Sequence, residues 1–387
     1  IVESAGNKFP KETEELVQAI SSNGGTPLVV CVDKQVAGVI ELQDIIKPGI
    51  QERFERLRKM GVKTVMVTGD NPLTAKYIAE KAGVDDFIAE AKPEDKMNYI
   101  RREQEAGKLV AMMGDGTNDA PALNAAQVGL SMGDGTTVAK EASSITILDN
   151  SFRSITRAVM WGRSLYQNIQ RFLLFQMTVN VVACLIVLIG AFLGTQSPLT
   201  VTQMLWVNLI MDTFAAMALA SLPPDERVMK DKPRRQTDFI ITRSMAIDIV
   251  GIGSFFVLVL FGLLQYFKYE EITALSQFDV RLFFSNYFRF ENIPDALSAY
   301  ELTIFFTVFV MFQFWNMFNA KAFATNGSAL NRMLQCRSFL GVAAIILLGQ
   351  IVIVTIGGPM FGVTPLSVQD WIYIIVATSF ILWLGEL

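Results

Sequence analysis

The sequence has 387 residues, of which 51% are hydrophobic and only 18% are charged, whereas soluble domains usually reach about 25% charged. The charge is unevenly distributed, because residues 1–170 hold 43 of the 70 Asp, Glu, Lys and Arg side chains. A net charge of −4 argues against a nucleic-acid-binding protein, and the lack of histidine excludes imidazole metal ligands and Ser-His catalysis. The composition therefore predicts a polar front part and a membrane-embedded rear part.

The polar part shows the pattern of a parallel α/β sheet from about Pro48 onward, because short β-branched runs alternate with helical segments. The predicted strands are 63–68, 86–89, 108–113, 128–132 and 145–148. Pro72 and Gly83 delimit one predicted helix, and Pro93 and Gly107 delimit the next. The sequence thus predicts helices packed on a parallel sheet.

Polar residues follow two of these strands, at the edge where ligands bind in parallel sheets. The first set is Thr68, Gly69, Asp70 and Asn71, and the second is Gly114, Asp115, Gly116, Thr117, Asn118 and Asp119. Glycines allow a phosphate to approach the backbone, and two carboxylates four residues apart offer hard oxygen ligands to magnesium. Lys96 begins the helix before the second set and is a candidate cation for a phosphoryl group.

The rear part contains six windows of about 20 apolar residues, the length that a helix needs to cross a hydrocarbon core. They are 171–194, 201–220, 245–267, 301–320, 338–357 and 368–386. The loops 221–244 and 321–337 carry most of the Lys and Arg residues between the windows, so the positive-inside rule places them in the cytoplasm. The sequence therefore predicts an all-α bundle of six transmembrane helices, with the soluble domain and both termini cytoplasmic.

Asp212 is the sole Asp, Glu, Lys or Arg between Arg171 and Asp225, and it lies near the middle of the second window. A carboxylate at this depth costs several kcal/mol, roughly 2.5 or more, unless something compensates it. Asn208 lies one helical turn earlier, and Asn180 lies at mid-depth in the preceding window. One carboxylate with amide oxygens suits a hard cation such as calcium. The alternative is a protonated Asp212 that hydrogen-bonds Asn208 in a purely structural role.

The polar motifs resemble the phosphorylation domain of P-type ion pumps, which has a haloacid-dehalogenase-like fold. The resemblance rests on segments 68–71, 93–96 and 114–121, and segment 44–49 looks like the hinge that precedes this domain. It implies a magnesium site at Asp115, with ATP as the phosphoryl donor. It also implies a catalytic site formed by Thr68, Gly69, Asp70, Lys96, Asn118 and Asp119.

Segments 176–180 and 206–213 are similar to the fifth and sixth spans of calcium pumps, most of all the plasma-membrane, single-site type. This resemblance implies that Asn180, Asn208 and Asp212 bind the transported calcium ion. Up to about Thr117 the chain looks most like the catalytic subunit of the bacterial potassium-importing pump. The calcium assignment therefore rests on the rear part.

The resemblance implies three domains in this chain. They are the tail of a nucleotide-binding domain at 1–42, the phosphorylation domain at 43–155 and the membrane domain at 156–387. The DKTGT motif, whose aspartate P-type pumps phosphorylate, does not occur in the sequence. We therefore expect the C-terminal part of a pump that needs the missing N-terminal half as its partner, beside membrane lipid, and that is inactive alone.

Three other functions fit parts of the sequence. The first is an ATPase similar to the potassium-pump catalytic subunit. The second is a passive cation channel or transporter with a fused regulatory domain, in which Asp115 would be inert. The third is a membrane-anchored phosphatase, against which the lack of the nucleophilic aspartate argues.

Overall fold

The computed structural model of the chain describes residues 10–33, 35–43, 46, 48–192, 198–232, 234, 238–290, 297–325, 327–330 and 333–384. The chain forms two compact units. The polar unit comprises Ile1–Arg163 and Asp225–Asp238, and the membrane unit comprises Ser164–Pro224 and Phe239–Leu387. Each unit is described separately below.

The polar unit contains short strands and helices in alternation. In chain order they are α1 Lys11–Ser22, β1 Gly25–Val32, β2 Gln35–Gln43, α2 Ile50–Lys59, β3 Val65–Val67, α3 Pro72–Ala82, β4 Asp86–Ile88, α4 Pro93–Glu105, β5 Ala111–Gly114, α5 Ala120–Ala125, β6 Val128–Met132, α6 Thr137–Ala142 and β7 Ile145–Ile147. Every strand predicted from the sequence forms within its predicted range or one residue beyond it. The helix boundaries follow the predicted signals, since Pro72 lies in the first turn of α3 and Gly83, with φ of 77°, ends it.

The strands predicted to form the parallel sheet do pair in parallel, which confirms the α/β fold class. Their hydrogen bonds divide them between two sheets, β3–β4 and β5–β6–β7, while β1 and β2 form an antiparallel pair. Within the described ranges, β3 pairs with β4 alone and β5 with β6 alone. One edge of β3 and one edge of β5 are therefore available to another strand.

The segment after the second membrane helix packs in the polar unit, although the sequence assigned it to the membrane domain. Its 3₁₀-helix, Glu226–Lys230, buries Val228 and Met229. These side chains join a core cluster with Leu57, Met60, Leu130, Ile147, Phe152 and Ile155. The sequence missed this packing because the segment reads as a basic loop with few apolar residues.

Asp85 joins β3, α2 and the turn before β4. Its carboxylate accepts hydrogen bonds from the Thr64 backbone N–H at 2.7 Å and the Thr64 hydroxyl at 2.9 Å, and it pairs with Arg58. Burial raises the pKa of Asp85, but the hydrogen bonds from Thr64 and Arg58 outweigh it and hold the pKa below its ordinary value.

We expect Asp85→Asn to lower the free energy of unfolding of the polar unit by about 1–2 kcal/mol at pH 7. Because the pKa of the Asp85 carboxyl is lower in the folded than in the unfolded chain, its ionised form stabilises the fold above about pH 4. This stabilisation is lost as the pH falls through the folded-state pKa. The difference in free energy of unfolding between wild type and Asp85→Asn should therefore shrink below pH 4. Hydrogen exchange of amides 62–68, measured against pH, tests this expectation.

Asp86→Asn is the matched control, because Asp86 pairs with Lys63 and both side chains are more than half exposed. Its exchange rates should match those of wild type within error. Equal loss of protection in both variants would show that Asp85 has no special role.

The membrane unit is helical. Its helices are α7 Phe152–Phe192, α8 Val201–Leu205, the π-helix Trp206–Met211, α9 Asp212–Ala220, α10 Arg243–Tyr269, α11 Val280–Asn286, α12 Ala299–Ala322, α13 Arg337–Ile356, α14 Gly358–Phe361, α15 Val368–Thr378 and α16 Ile381–Leu384. Helix α7 begins before the unit boundary at Arg163, well ahead of its apolar window. Helix α12 is central, because 83% of its most apolar window is buried against 28–44% for the others.

Five of the six predicted spans are confirmed as membrane-length helices. In the described part of the chain, five helices are long and apolar enough to cross a membrane, and Val201–Ala220 counts as one of them. The sixth window holds a shorter apolar segment, Val368–Leu384, which turns after Thr378 before α16 begins. The last residues of the predicted range, 385–386, lie outside the described residues.

Candidate functional site

Thr68, Gly69 and Asp70 form a hydrogen-bonded turn at the carboxyl end of β3. The Thr68 hydroxyl donates to the Asp70 carboxylate at 2.7 Å, and the Asp70 backbone N–H donates to that hydroxyl at 3.2 Å. The Thr68 N–H donates to the Ile88 carbonyl, which continues the pairing with β4. Asn71 then caps α3 by accepting the Thr74 N–H at 3.0 Å. The turn therefore presents a hydroxyl and a carboxylate at the sheet edge.

Lys96 and Asp119 form an ion pair beside the end of β5. The Lys96 Nζ lies 2.8 Å from Asp119 Oδ1, and the two side chains are 16% and 12% exposed. The Gly116 N–H donates to the other carboxylate oxygen at 3.2 Å. A Cβ at Gly114 would lie 2.6 Å from the Asp119 Cβ, so the position of Asp119 requires glycine at 114. Asp119 is thus held at both oxygens.

Asp115 and Asn118 are exposed at the same strand end. The Asp115 backbone carbonyl accepts the Thr136 N–H at 2.9 Å, which fixes the backbone. Its carboxylate forms no hydrogen bond or ion pair with any described residue, so both oxygens are available to a ligand. Hard carboxylate and amide oxygens beside an anchored second carboxylate fit magnesium, and Asp115, Asn118 and Asp119 would hold it.

These polar residues form two groups. One is Thr68 with Asp70 after β3, and the other is Lys96 with Asp119, next to Asp115 and Asn118 after β5. In the part of the chain that the structure describes, no hydrogen bond or ion pair joins the two groups, and their sheets share no ladder.

Asp212 is buried in the membrane unit, with 5% of its surface exposed, at the start of α9. The Gln176 amide nitrogen on α7 donates to Asp212 Oδ2 at 2.7 Å. The other oxygens of both side chains, Asp212 Oδ1 and Gln176 Oε1, are buried and accept no hydrogen bond. Buried oxygens without a donor are costly, so the pair is suited to a positively charged ligand.

No basic side chain in the described residues neutralises Asp212, because none of the salt bridges involves it. Arg171, on the same helix as Gln176, is engaged elsewhere. Its guanidinium donates to the Phe323 carbonyl at 3.1 Å, to Asn168 at 2.8 Å and to Gln167 at 3.0 Å.

The structure differs from the predicted arrangement at Asn208. Asn208 is exposed, although the sequence placed it on the same face as the buried Asp212. Asn208 lies within the π-helix Trp206–Met211, where the backbone departs from the regular α-helix that the prediction assumed. Asn180 is half-buried and makes no side-chain hydrogen bond to a described residue.

Gln176 is the residue that sequence reasoning missed. The signal was present, because Gln176 lies one helical turn before Asn180 and is another amide in an apolar span. Gln313 on α12 is a second buried amide, fully buried, with neither amide atom hydrogen-bonded. The structure thus adds one amide, Gln176, that the predicted ligand set did not include.

Family profiles match both parts of the chain. The profile described as cation transporting ATPase, C-terminus, matches residues 196–387. Profiles described as haloacid dehalogenase-like hydrolase match residues 3–127 and 97–159. The two parts predicted from composition therefore correspond to two kinds of family profile.

Curated relatives are similar to the chain over most of its length. The human plasma membrane calcium-transporting ATPase 3 is 36% identical over 389 residues, covering 88% of this chain and 30% of the relative. The Arabidopsis thaliana putative calcium-transporting ATPase 11, plasma membrane-type, is 35% identical over 385 residues. This match covers 92% of this chain and 35% of the relative. The chain thus spans about a third of the length of these relatives.

A third relative matches a shorter stretch. The potassium-transporting ATPase ATP-binding subunit of Bacillus cereus is 58% identical over 164 residues, covering 42% of this chain and 24% of the relative. A solved structure of a zinc-transporting ATPase is 31% identical to this chain, and the match covers 56% of this chain and 34% of the solved one. Its TM-score of 0.44 is too low to bear on the fold.

Proposed function

Since the chain belongs to the P-type cation-transporting ATPases, we propose that it is the C-terminal part of an ATP-driven calcium pump. In the whole pump, an aspartyl phosphate would form and drive translocation. The observation that carries the proposal is the buried carboxylate of Asp212, which Gln176 satisfies at one oxygen alone.

The surroundings of Asp212 favour a cation. A buried carboxylate without a positive partner is strongly destabilising, and a hydrogen bond from a neutral amide removes a small part of that cost. Asp212 Oδ1 and Gln176 Oε1, which accept no hydrogen bond, are hard oxygen atoms on neighbouring side chains and can act as metal ligands. Calcium takes six to eight such oxygens, with waters and carbonyls completing the set. The similarity to calcium-transporting relatives supports the choice of calcium.

The polar unit supports phosphoryl transfer from ATP. Magnesium held by Asp115, Asn118 and Asp119 would supply charge neutralisation for the transferred phosphoryl group. Lys96, fixed by its pair with Asp119, places a second positive charge at this strand end. Thr68 and Asp70, on either side of Gly69, offer a hydroxyl and a carboxylate at the end of β3.

We further propose that the missing N-terminal half of the pump is the partner of this chain. The unpaired edges of β3 and β5 support this idea, because a parallel strand between them would join the two sheets. Such a strand would end at the same edge as Thr68 and Asp115, where a phosphorylated aspartate is required. The polar unit and both termini are assigned to the cytoplasm, because Lys and Arg are concentrated in loops 221–244 and 321–337.

Calcium binding to the full chain in detergent tests the proposal. We expect about one calcium ion to bind per chain, measured with ⁴⁵Ca²⁺ or by calorimetry, and an excess of potassium should leave binding unchanged. Potassium binding without calcium binding would instead favour the potassium-pump alternative, which the Bacillus cereus relative supports.

A further inference from the structure

The membrane unit contains a cavity of about 900 Å³ that the proposed pump cycle does not use. Three helices, α7, α10 and α12, contribute to its lining, together with the loop after α12 and Leu384 of α16. The cavity is partly open, so a ligand can enter it from outside. Its volume lies in the range of cavities that bind drug-sized molecules. Asp212 and Gln176 are absent from the described lining.

Helix α10 contributes one carboxylate to the cavity. Ser244, Asp248 and Ile252 are four residues apart and therefore share one face of the helix. Asp248 is half-buried and forms neither a hydrogen bond nor an ion pair with any residue that the structure describes. None of the described lining residues is Lys or Arg. The cavity therefore carries a negative charge that none of its described lining residues balances.

Helix α12 contributes two buried amides. Asn316 is 3% exposed, lines the cavity and hydrogen-bonds to no described residue. Asn319 is 8% exposed, and its nitrogen donates to the Ile381 carbonyl at 2.7 Å, while its oxygen is buried without a donor. A buried amide without partners costs free energy, and a bound ligand that donates hydrogen bonds would recover it.

The remaining lining is mixed, and its apolar part helps to decide which kind of cation fits. Leu174, Ile252, Phe323 and Leu384 line the cavity beside the hydroxyl-bearing Ser244, Thr325 and Ser328. A bare metal ion needs several oxygen ligands at short range, and one carboxylate in so large a space does not provide them. A phospholipid phosphate would meet Asp248 without a cation among the lining residues that the structure describes. An organic ammonium ion fits both features, because its N–H groups can donate to the acceptors and its apolar part can pack against the apolar lining residues.

We propose that this cavity binds an organic primary ammonium cation, whose N–H groups donate to Asp248 and the Asn316 carbonyl while its apolar part packs against Leu174 and Phe323. The cation is either a soluble amine or a membrane amphiphile with the same head group. This site is separate in its residues from the calcium site, so either proposal can fail alone.

Titration of the purified full chain with phenethylammonium tests the proposal by calorimetry. We expect one site per chain and much weaker binding of 2-phenylethanol, which has the same apolar part without the charge. Asp248→Asn should weaken phenethylammonium binding about tenfold or more, the loss expected for a charge-assisted hydrogen bond. Glu271→Gln, at an exposed acid of the same unit, is the matched control and should bind as wild type does.

A second variant keeps the test independent of charge. Ser244→Trp partly fills the cavity from α10 and should abolish binding, while an unchanged unfolding temperature shows that the chain is folded. Equal affinity of wild type and Asp248→Asn, or equal affinity for the amine and the alcohol, would overturn the proposal.

Nanodiscs identify the source of the amine. Discs of phosphatidylcholine with a few per cent octadecylamine are compared with discs of phosphatidylcholine alone. Loss of phenethylammonium binding in the first kind supports a membrane amphiphile as the ligand, whereas unchanged binding supports a soluble amine.

Discussion

Asp212→Asn is expected to abolish calcium binding to this chain. It should also abolish calcium-activated ATP hydrolysis when the chain is co-expressed with the front half of a plasma-membrane-type calcium pump. The substitution keeps the shape and removes the charge, so the affinity should fall about a hundredfold or more, as for a buried ion pair that loses one partner. ⁴⁵Ca²⁺ binding and calcium-dependent ATPase rates measure the two effects.

Two further variants define the contribution of the neighbours of Asp212. Gln176→Leu should weaken calcium binding about tenfold, because it removes one oxygen ligand and leaves the carboxylate in place. Glu271→Gln changes an exposed acid of the same unit and should bind calcium as wild type does. Calcium binding by Asp212→Asn at wild-type affinity would contradict the cation site, and the structural role for a protonated Asp212 would then stand.

Asp115→Asn is expected to abolish magnesium-dependent phosphorylation by ATP in the same co-expressed pump, with a rate loss of about a hundredfold or more. Its carboxylate is the one at this strand end that has no partner in the described residues, whereas Asp119 is already paired with Lys96. Calcium binding to the isolated chain should be unaffected. Incorporation of ³²P from labelled ATP measures the effect.

The matched control for this variant is Glu105→Gln, at an exposed acid near the end of α4. Phosphorylation of that variant should equal the wild-type level. A passive channel with a fused regulatory domain would instead conduct cations at the same rate with and without Asp115. Undiminished phosphorylation of Asp115→Asn would remove the magnesium role from this residue.

The sequence predicted much of the polar unit because local signals determine it. Proline and glycine at the ends of α3 act through their own backbone dihedral angles, so they mark its boundaries without reference to distant residues. The division of the parallel strands into two sheets could not be predicted, because strand pairing depends on which segments of the chain are available to pair.

In the membrane unit the sequence identified Asp212 but not its geometry. A single acid in an apolar window can be found from composition alone. The residue that contacts it depends on which faces of the two helices meet, and composition does not give that. The α-helical spacing assumed for Asn208 fails at Trp206–Met211, and Gln176 takes the contact with Asp212 instead. The packing of Val228 and Met229 was missed for a similar reason, since two apolar residues in a basic loop carry no periodic signal.

The wide turn before Asp212 has a consequence for how this span tolerates changes in length. A π-helical turn stores one more residue than an α-helical turn, while the helix on either side keeps its phase. Deleting one residue between Trp206 and Met211 would therefore convert the segment to regular helix and leave α9 facing its neighbours. The same deletion in the middle of α12 would rotate every later side chain by about 100° and misplace its buried face.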